Sequence, residues 1–194
     1  MTCIVGLVEG SVVHMGADSA GVSGFDLQTR SDTKVFKRGE LLIGITSSFR
    51  MGQLLRFGDA LAQPEPYVNM PGALYEFMCT RFIDSVRTVL KTGGFASRKD
   101  ETESGGDFLV GVRGNLFTVF SDYQVGVNVQ PWACVGSGYQ VANGAMYASS
   151  EFDHPGDRIR NALSAAEAYC SGVRGPFTVM SSDSDSVNPD GVGP

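Results

Sequence analysis

The sequence predicts an α+β fold, with two antiparallel sheets packed face to face and helices on their outer sides. Three observations lead there. Predicted elements come in blocks of strands, helices, strands, helices and a last strand, rather than in strict alternation. Short glycine-containing turns join apolar segments into hairpins. Hydrophobic residues make up 42% of 194 residues, enough for a substantial core. Sheet-on-sheet packing with outer helices then buries every amphipathic face.

The elements follow in order. Val5 and Leu7, then Val12, Val13 and Met15, flank Glu9-Gly10-Ser11, the first hairpin. Residues 21–33 read as a polar, glycine-containing loop. Lys34-Val35-Phe36-Lys37 and Leu41-Leu42-Ile43-Gly44-Ile45 flank Arg38-Gly39-Glu40, the second hairpin. Met51, Leu54, Leu55 and Leu61 then fall on a helical stripe, with Ser47 or Ser48 as N-cap. Two prolines within 63–69 mark a connector. A longer helix is predicted from Met70, with Pro71 in its first turn, and Gly93-Gly94 ends it.

Residues 96–106 read as a charged surface loop. Strands resume over 108–112 and 116–120, joined by Arg113-Gly114-Asn115, with a further strand at 132–135. Gly136-Ser137-Gly138 leads into a helix over 139–149. His154-Pro155-Gly156-Asp157 breaks the chain, and Ile159, Ala162, Leu163 and Ala166 mark the last long helix. Phe177-Thr178-Val179-Met180 is the closing strand. Residues 1–181 are expected to form one domain, and the acidic Ser-, Gly- and Pro-rich residues 182–194 a disordered tail.

A net charge of −6 argues against nucleic acid or an anionic membrane as the main partner. No apolar run is long enough to span a bilayer, and no secretory signal is visible. Cys3, Cys79, Cys134 and Cys170 are scattered without CxxC spacing. They read as reduced core thiols, which fits the cytoplasm. Two histidines without a paired carboxylate spacing predict no metal site, and no cofactor is expected.

Four polar features fall at element ends. Thr2 begins the first strand, Asp18 ends the second, Lys34 begins the third, and Ser137 sits at a strand-to-helix turn. The first hairpin turn makes Thr2 and Asp18 neighbours, and Lys34 is expected to reach the same sheet end from the adjacent strand. The chemistry this permits is specific. Removal of Met1 frees an α-amine, with a reference pKa of roughly 8, next to the Thr2 hydroxyl. One residue then supplies both nucleophile and base. A lysine ammonium lowers the pKa of both groups, and a carboxylate keeps the lysine charged and oriented. Backbone N–H groups where a strand gives way to a helix, within 44–48, are candidates for an oxyanion hole. Lys34 Nζ is therefore expected within hydrogen-bond reach of Thr2 Oγ1, with Asp18 on its far side.

Thr2-Cys3-Ile4-Val5-Gly6, Gly16-Ala17-Asp18-Ser19, Lys34-Val35-Phe36, Leu42-Ile43-Gly44 and Gly136-Ser137-Gly138 jointly resemble the proteasome β-subunit-type N-terminal-nucleophile (Ntn) hydrolases, near the HslV-type peptidases. The resemblance implies a four-layer αββα sandwich and a threonine-type endopeptidase. It assigns Thr2 as nucleophile and base, Asp18 and Lys34 as the activating charge pair, and Ser137 as the group that orients the amine and a water. It places the oxyanion hole at Ser47 and a substrate-pairing strip at Ala20, Gly21 and Val22. It also implies a peptide or unfolded-protein substrate, a closed homo-oligomeric ring and an ATP-driven unfoldase partner. The chain departs from the family in two segments. Gly44-Ile45-Thr46-Ser47-Ser48 replaces a Gly-x-x-Gly pattern, and Tyr169-Cys170-Ser171-Gly172-Val173-Arg174 replaces the supporting aspartate and serine. A small-amide hydrolase of the same fold, a silent homologue that keeps Met1, and an unrelated α+β binding module are the rival readings. Cys3 as the new N-terminus would favour the small-amide hydrolase, but the spacing to Asp18 and Lys34 favours Thr2.

Overall fold

A computed structural model describes residues 1–59, 61–99, 102–149 and 154–183. The strands are β1 (Ile4–Glu9), β2 (Val12–Ala17), β3 (Ala20–Ser23), β4 (Asp26–Thr29), β5 (Val35–Arg38), β6 (Leu41–Ile45), β7 (Ser97–Lys99), β8 (Thr102–Ser104), β9 (Phe108–Val112), β10 (Asn115–Val119), β11 (Val125–Gly126), β12 (Trp132–Val135) and β13 (Thr178–Ser181). The α-helices are α1 (Phe49–Phe57), α2 (Pro71–Phe77), α3 (Ile83–Thr92), α4 (Tyr139–Ala148) and α5 (Pro155–Tyr169).

Two antiparallel sheets dominate. One runs β12-β1-β2-β13 and the other β11-β10-β9-β6-β5. Their strands are apolar on both faces, and the core shows why. Ile4, Val13, Met15, Leu42, Leu109 and Leu116 pack between the sheets. Cys3, Val5 and Leu7 point the other way, onto Ala142 of α4 and Ile159, Ala162 and Leu163 of α5. Leu41, Ile43, Phe108 and Val110 likewise face a core that includes Met51 and Leu55 of α1 and Val86 and Leu90 of α3. A strand buried on both faces needs an apolar run rather than strict alternation. Close approach of the sheets needs glycine at position 44, where a Cβ would overlap Met15 and Ile4.

The structure corrects several expectations. Residues 21–33 contain the β3–β4 hairpin, turning at Gly24 with φ +58°. β4 is exposed throughout, so no apolar face marked it. Residues 96–106 carry the short β7–β8 pair rather than a bare loop. The helix predicted from Met70 is divided by a π-helical turn at Met78–Phe82 between α2 and α3. α1 ends at Phe57, where Arg38 Nη1 binds the Arg56 carbonyl at 2.7 Å, so Leu61 lies beyond the helix. His154 does not break the chain. Its Nδ1 accepts from Gly156 N at 3.2 Å and caps α5, which starts at Pro155. Ser48, not Ser47, caps α1. The expectation of a disordered tail falls, from residue 184 on, outside the described residues.

Candidate active site

The site forms where both sheets end on the same side. In the β1–β2 hairpin Ile4 pairs with Ala17, which leaves Thr2 and Cys3 beside Asp18. Asp18 closes this end through its backbone and its carboxylate. Its N–H donates to the Cys3 carbonyl at 3.3 Å, and Cys3 N donates to Oδ1 at 2.9 Å. Oδ2 accepts from Ala20 N at 2.9 Å and Arg174 N at 3.3 Å. The carboxylate is thus fixed before any lysine is considered.

Lys34 precedes β5, which belongs to the second sheet. It therefore reaches Thr2 across the gap between sheets, not along one sheet as expected. The Ile45 N–H holds its carbonyl at 2.9 Å. Its side chain is 2% exposed, and Nζ donates to Thr2 Oγ1 at 2.9 Å and Asp18 Oδ1 at 2.8 Å. Burial pulls the Lys34 pKa below the usual lysine range, and Asp18 opposes that pull. A cation this deep needs such a partner, because an unpaired buried charge is costly.

Ser137 meets Thr2 from β12 and its following turn. Thr2 N donates to Ser137 Oγ at 3.1 Å, and Gly138 N donates to the Thr2 carbonyl at 3.3 Å. Gly136, at φ +94°, lies so close that a Cβ would overlap that carbonyl. The Thr2 hydroxyl also donates to the Met1 carbonyl at 2.5 Å. With Met1 attached, the Thr2 nitrogen is an amide and cannot act as a base.

Ser47 adopts φ +57°, uncommon for a residue with a side chain. Asp107 N donates to its Oγ at 3.1 Å. The neighbouring Ile45, Thr46 and Ser48 N–H groups donate to Lys34, Asp107 and Thr46 carbonyls. The Ser47 N–H has no partner among the described residues, so it is free to meet an oxyanion.

A cleft of about 500 Å³ opens beside Thr2, with Lys34, Ser47, Gly21 and Val22 in its wall. β3 pairs only with β4 among the described residues, so its other edge is open to an extended chain. Ala20, the third residue of the expected strip, is fully buried and commits its N–H to Asp18. Arg30 and Phe49 also line the cleft and were not anticipated. Their signals were slight: an Arg-Ser-Asp run in a polar stretch and the first aromatic of a helix. Cys170 Sγ lies 3.5 Å from Ser137 Oγ, within the segment that departs from the family pattern. Among the described residues no three His, Cys, Asp or Glu side chains converge as a metal site. Burial pushes the Cys3 thiol up to about 12, which keeps it protonated at neutral pH.

No protein-family model and no curated protein sequence matches the chain. Solved structures do. BPH of Thiobacillus denitrificans, in complex with epoxomicin, superposes with a TM-score of 0.74 at 19% identity, over 93% of this chain and 97% of that one. Eukaryotic HslV from Trypanosoma brucei gives 0.64 at 15% identity, over 93% and 98%. Anbu (ancestral beta-subunit) from Yersinia bercovieri gives 0.61 at 16% identity, over 93% and 81%. The chain has the Ntn-hydrolase fold. In that fold Thr2, Asp18, Lys34 and Ser137 meet just before β1, and the Ser47 N–H faces no competing partner among the described residues.

Proposed function

We propose that the chain is a threonine-type peptidase whose nucleophile is Thr2 after Met1 is removed. The observation that carries this reading is the buried Lys34 ammonium, bound at once to Thr2 Oγ1 and to Asp18. Thr2 Oγ attacks the carbonyl carbon of a substrate amide, and its proton passes to the freed α-amine, directly or through a water held near Ser137. The oxyanion accepts from the Ser47 N–H. Collapse breaks the C–N bond, and the leaving amine takes the proton from the α-ammonium. Water then adds to the Thr2 ester with the α-amine again as base, and expulsion of Oγ releases the acid. Asp18 holds Lys34 charged, and Lys34 lowers the cost of developing negative charge on Oγ.

The resemblance extends this reading to a four-layer αββα arrangement of one domain over 1–181. It also points to a homo-oligomeric ring in the cytoplasm, which would keep the nucleophile from cellular proteins. An ATP-driven unfoldase that feeds such a ring with unfolded protein belongs to the same proposal. The silent alternative rests on one observation, the Met1 carbonyl bound by the Thr2 hydroxyl. Intact-mass analysis of the N-terminus, together with hydrolysis of a panel of peptides and small amides, tests both. The peptidase reading expects an N-terminal Thr2 and peptide cleavage that Thr2→Ala abolishes. Retained Met1 in active preparations contradicts it, and cleavage of small amides alone favours the small-amide hydrolase.

A further inference from the structure

One cation in the cleft has no part in the chemistry above. Arg30, just past β4, lines the cleft beside Thr2. Its Nε and Nη2 form a two-pronged pair with Asp32, each at 2.7 Å. Its guanidinium lies 4.0 Å from the centre of the Phe49 ring. Lys34 Nζ lies 5.7 Å from the centre of that same ring, so both cations are gathered around one aromatic side chain. The Arg30 stem rests on β3, where a Cβ on Gly21 would overlap Arg30 Cδ.

A guanidinium held at one edge by a carboxylate, on its face by a ring and along its stem by backbone is a rigid donor. What remains is Nη1, whose two N–H groups have no partner among the described residues. An incoming acceptor can take that edge without breaking the pair with Asp32. Lys34 is poorly placed to serve in this way: its side chain is 2% exposed, and two of its three N–H groups already hold Asp18 and Thr2. Two carboxylates oppose an acidic ligand. Asp32 is bound at the far edge of the guanidinium, and Asp26 is exposed in β4, where water screens it.

We propose that Arg30 is a specificity-determining residue, and that the cleft prefers a peptide with an acidic side chain immediately before the scissile bond. The proposal rests on the peptidase reading, and its test separates the two. Four peptide amides differing only in that residue (Glu, Gln, Leu or Lys) are assayed with the chain lacking Met1. Their binding to Thr2→Ala is measured in parallel. Glu is expected to exceed Leu by about tenfold in kcat/KM, the usual scale of a charged hydrogen bond, with Lys last. Arg30→Gln should erase the advantage of Glu and, by leaving Asp32 unpaired, raise Lys. Asp32→Asn should widen the Glu-to-Leu ratio, which a merely loosened cleft would not do. Leu or Lys cleaved as well as Glu, or an unchanged order in Arg30→Gln, overturns the proposal. If nothing is cleaved but Glu binds Thr2→Ala most tightly and Arg30→Gln abolishes that preference, Arg30 keeps its role and the peptidase reading falls. No preference in either assay removes the proposal.

Discussion

Asp18 and Lys34 are a buried ion pair with unequal support. Asp18 is bound by Lys34 and by the backbone N–H groups of Cys3, Ala20 and Arg174. Lys34 Nζ has Asp18 and a hydroxyl. Asp18→Ala therefore strands a buried cation and three N–H groups and should cost about 3–5 kcal/mol. Lys34→Met leaves a carboxylate that still accepts from backbone and should cost less. Denaturant unfolding of both variants checks the order, and both should lose amide hydrolysis. A pH series gives a second test. Burial lowers the Lys34 pKa in the folded state. Between that value and the unfolded one, the unfolded chain holds a proton that the folded chain lacks. The penalty for burying the charge is thus complete below the folded pKa and is relieved as pH rises through it. Wild type should gain stability relative to Lys34→Met on moving from neutral to alkaline pH, while its activity falls as the ammonium is lost. A parallel rise of both would contradict the assignment. At this scale the meeting of Thr2 and Asp18 was legible because a short hairpin turn fixes which residues become neighbours. Arg30 and Phe49 were not, since their contact joins a residue just past an exposed strand to the first residue of α1, and local pattern encodes no such pairing.

The turn between β12 and α4 places Thr2 as closely as any side chain does. Gly136 combines φ +94° with contact against the Thr2 carbonyl. Gly136→Ala should cost about 1–3 kcal/mol and should reduce kcat/KM by more than that loss of stability explains, because the displaced group is the nucleophile's own backbone. Parallel unfolding and kinetic measurements distinguish the two effects. Elements with buried faces were legible in the sequence: β1, β2, β6, β9 and α5 carry apolar residues at the spacing of their class. β3–β4 and β7–β8 were not, because pairing without burial leaves no hydrophobic period to read. The π-helical turn at Met78–Phe82 also escaped, since one extra residue in a turn barely alters a helical stripe. The Pro155 start of α5 is hard to read from sequence because the capping histidine before it is a rare N-cap type.

Across the molecule, the two sheets converge at one end to form the site, and large apolar side chains lie exposed elsewhere. Phe25, Val129, Tyr67, Met70, Tyr147 and Tyr169 are each more than two-thirds exposed. Exposed apolar residues of this kind are ordinary on a single chain and do not by themselves mark an interface. In the ring reading, native mass spectrometry should find a closed oligomer, and a chain that stays monomeric at all concentrations would contradict it. The two-sheet architecture was legible from the block order of elements. The reach of Lys34 from the opposite sheet was not, because strand order within a sheet is a long-range property that local pattern does not encode.

Covalent labelling decides whether Thr2 is the nucleophile. The chain is incubated with an electrophile directed at an N-terminal threonine, and the adduct is located by peptide mapping. One adduct is expected on an N-terminal Thr2, lost in Thr2→Ala and strongly slowed in Lys34→Met. An adduct elsewhere, or labelling undiminished in Thr2→Ala, would contradict that role.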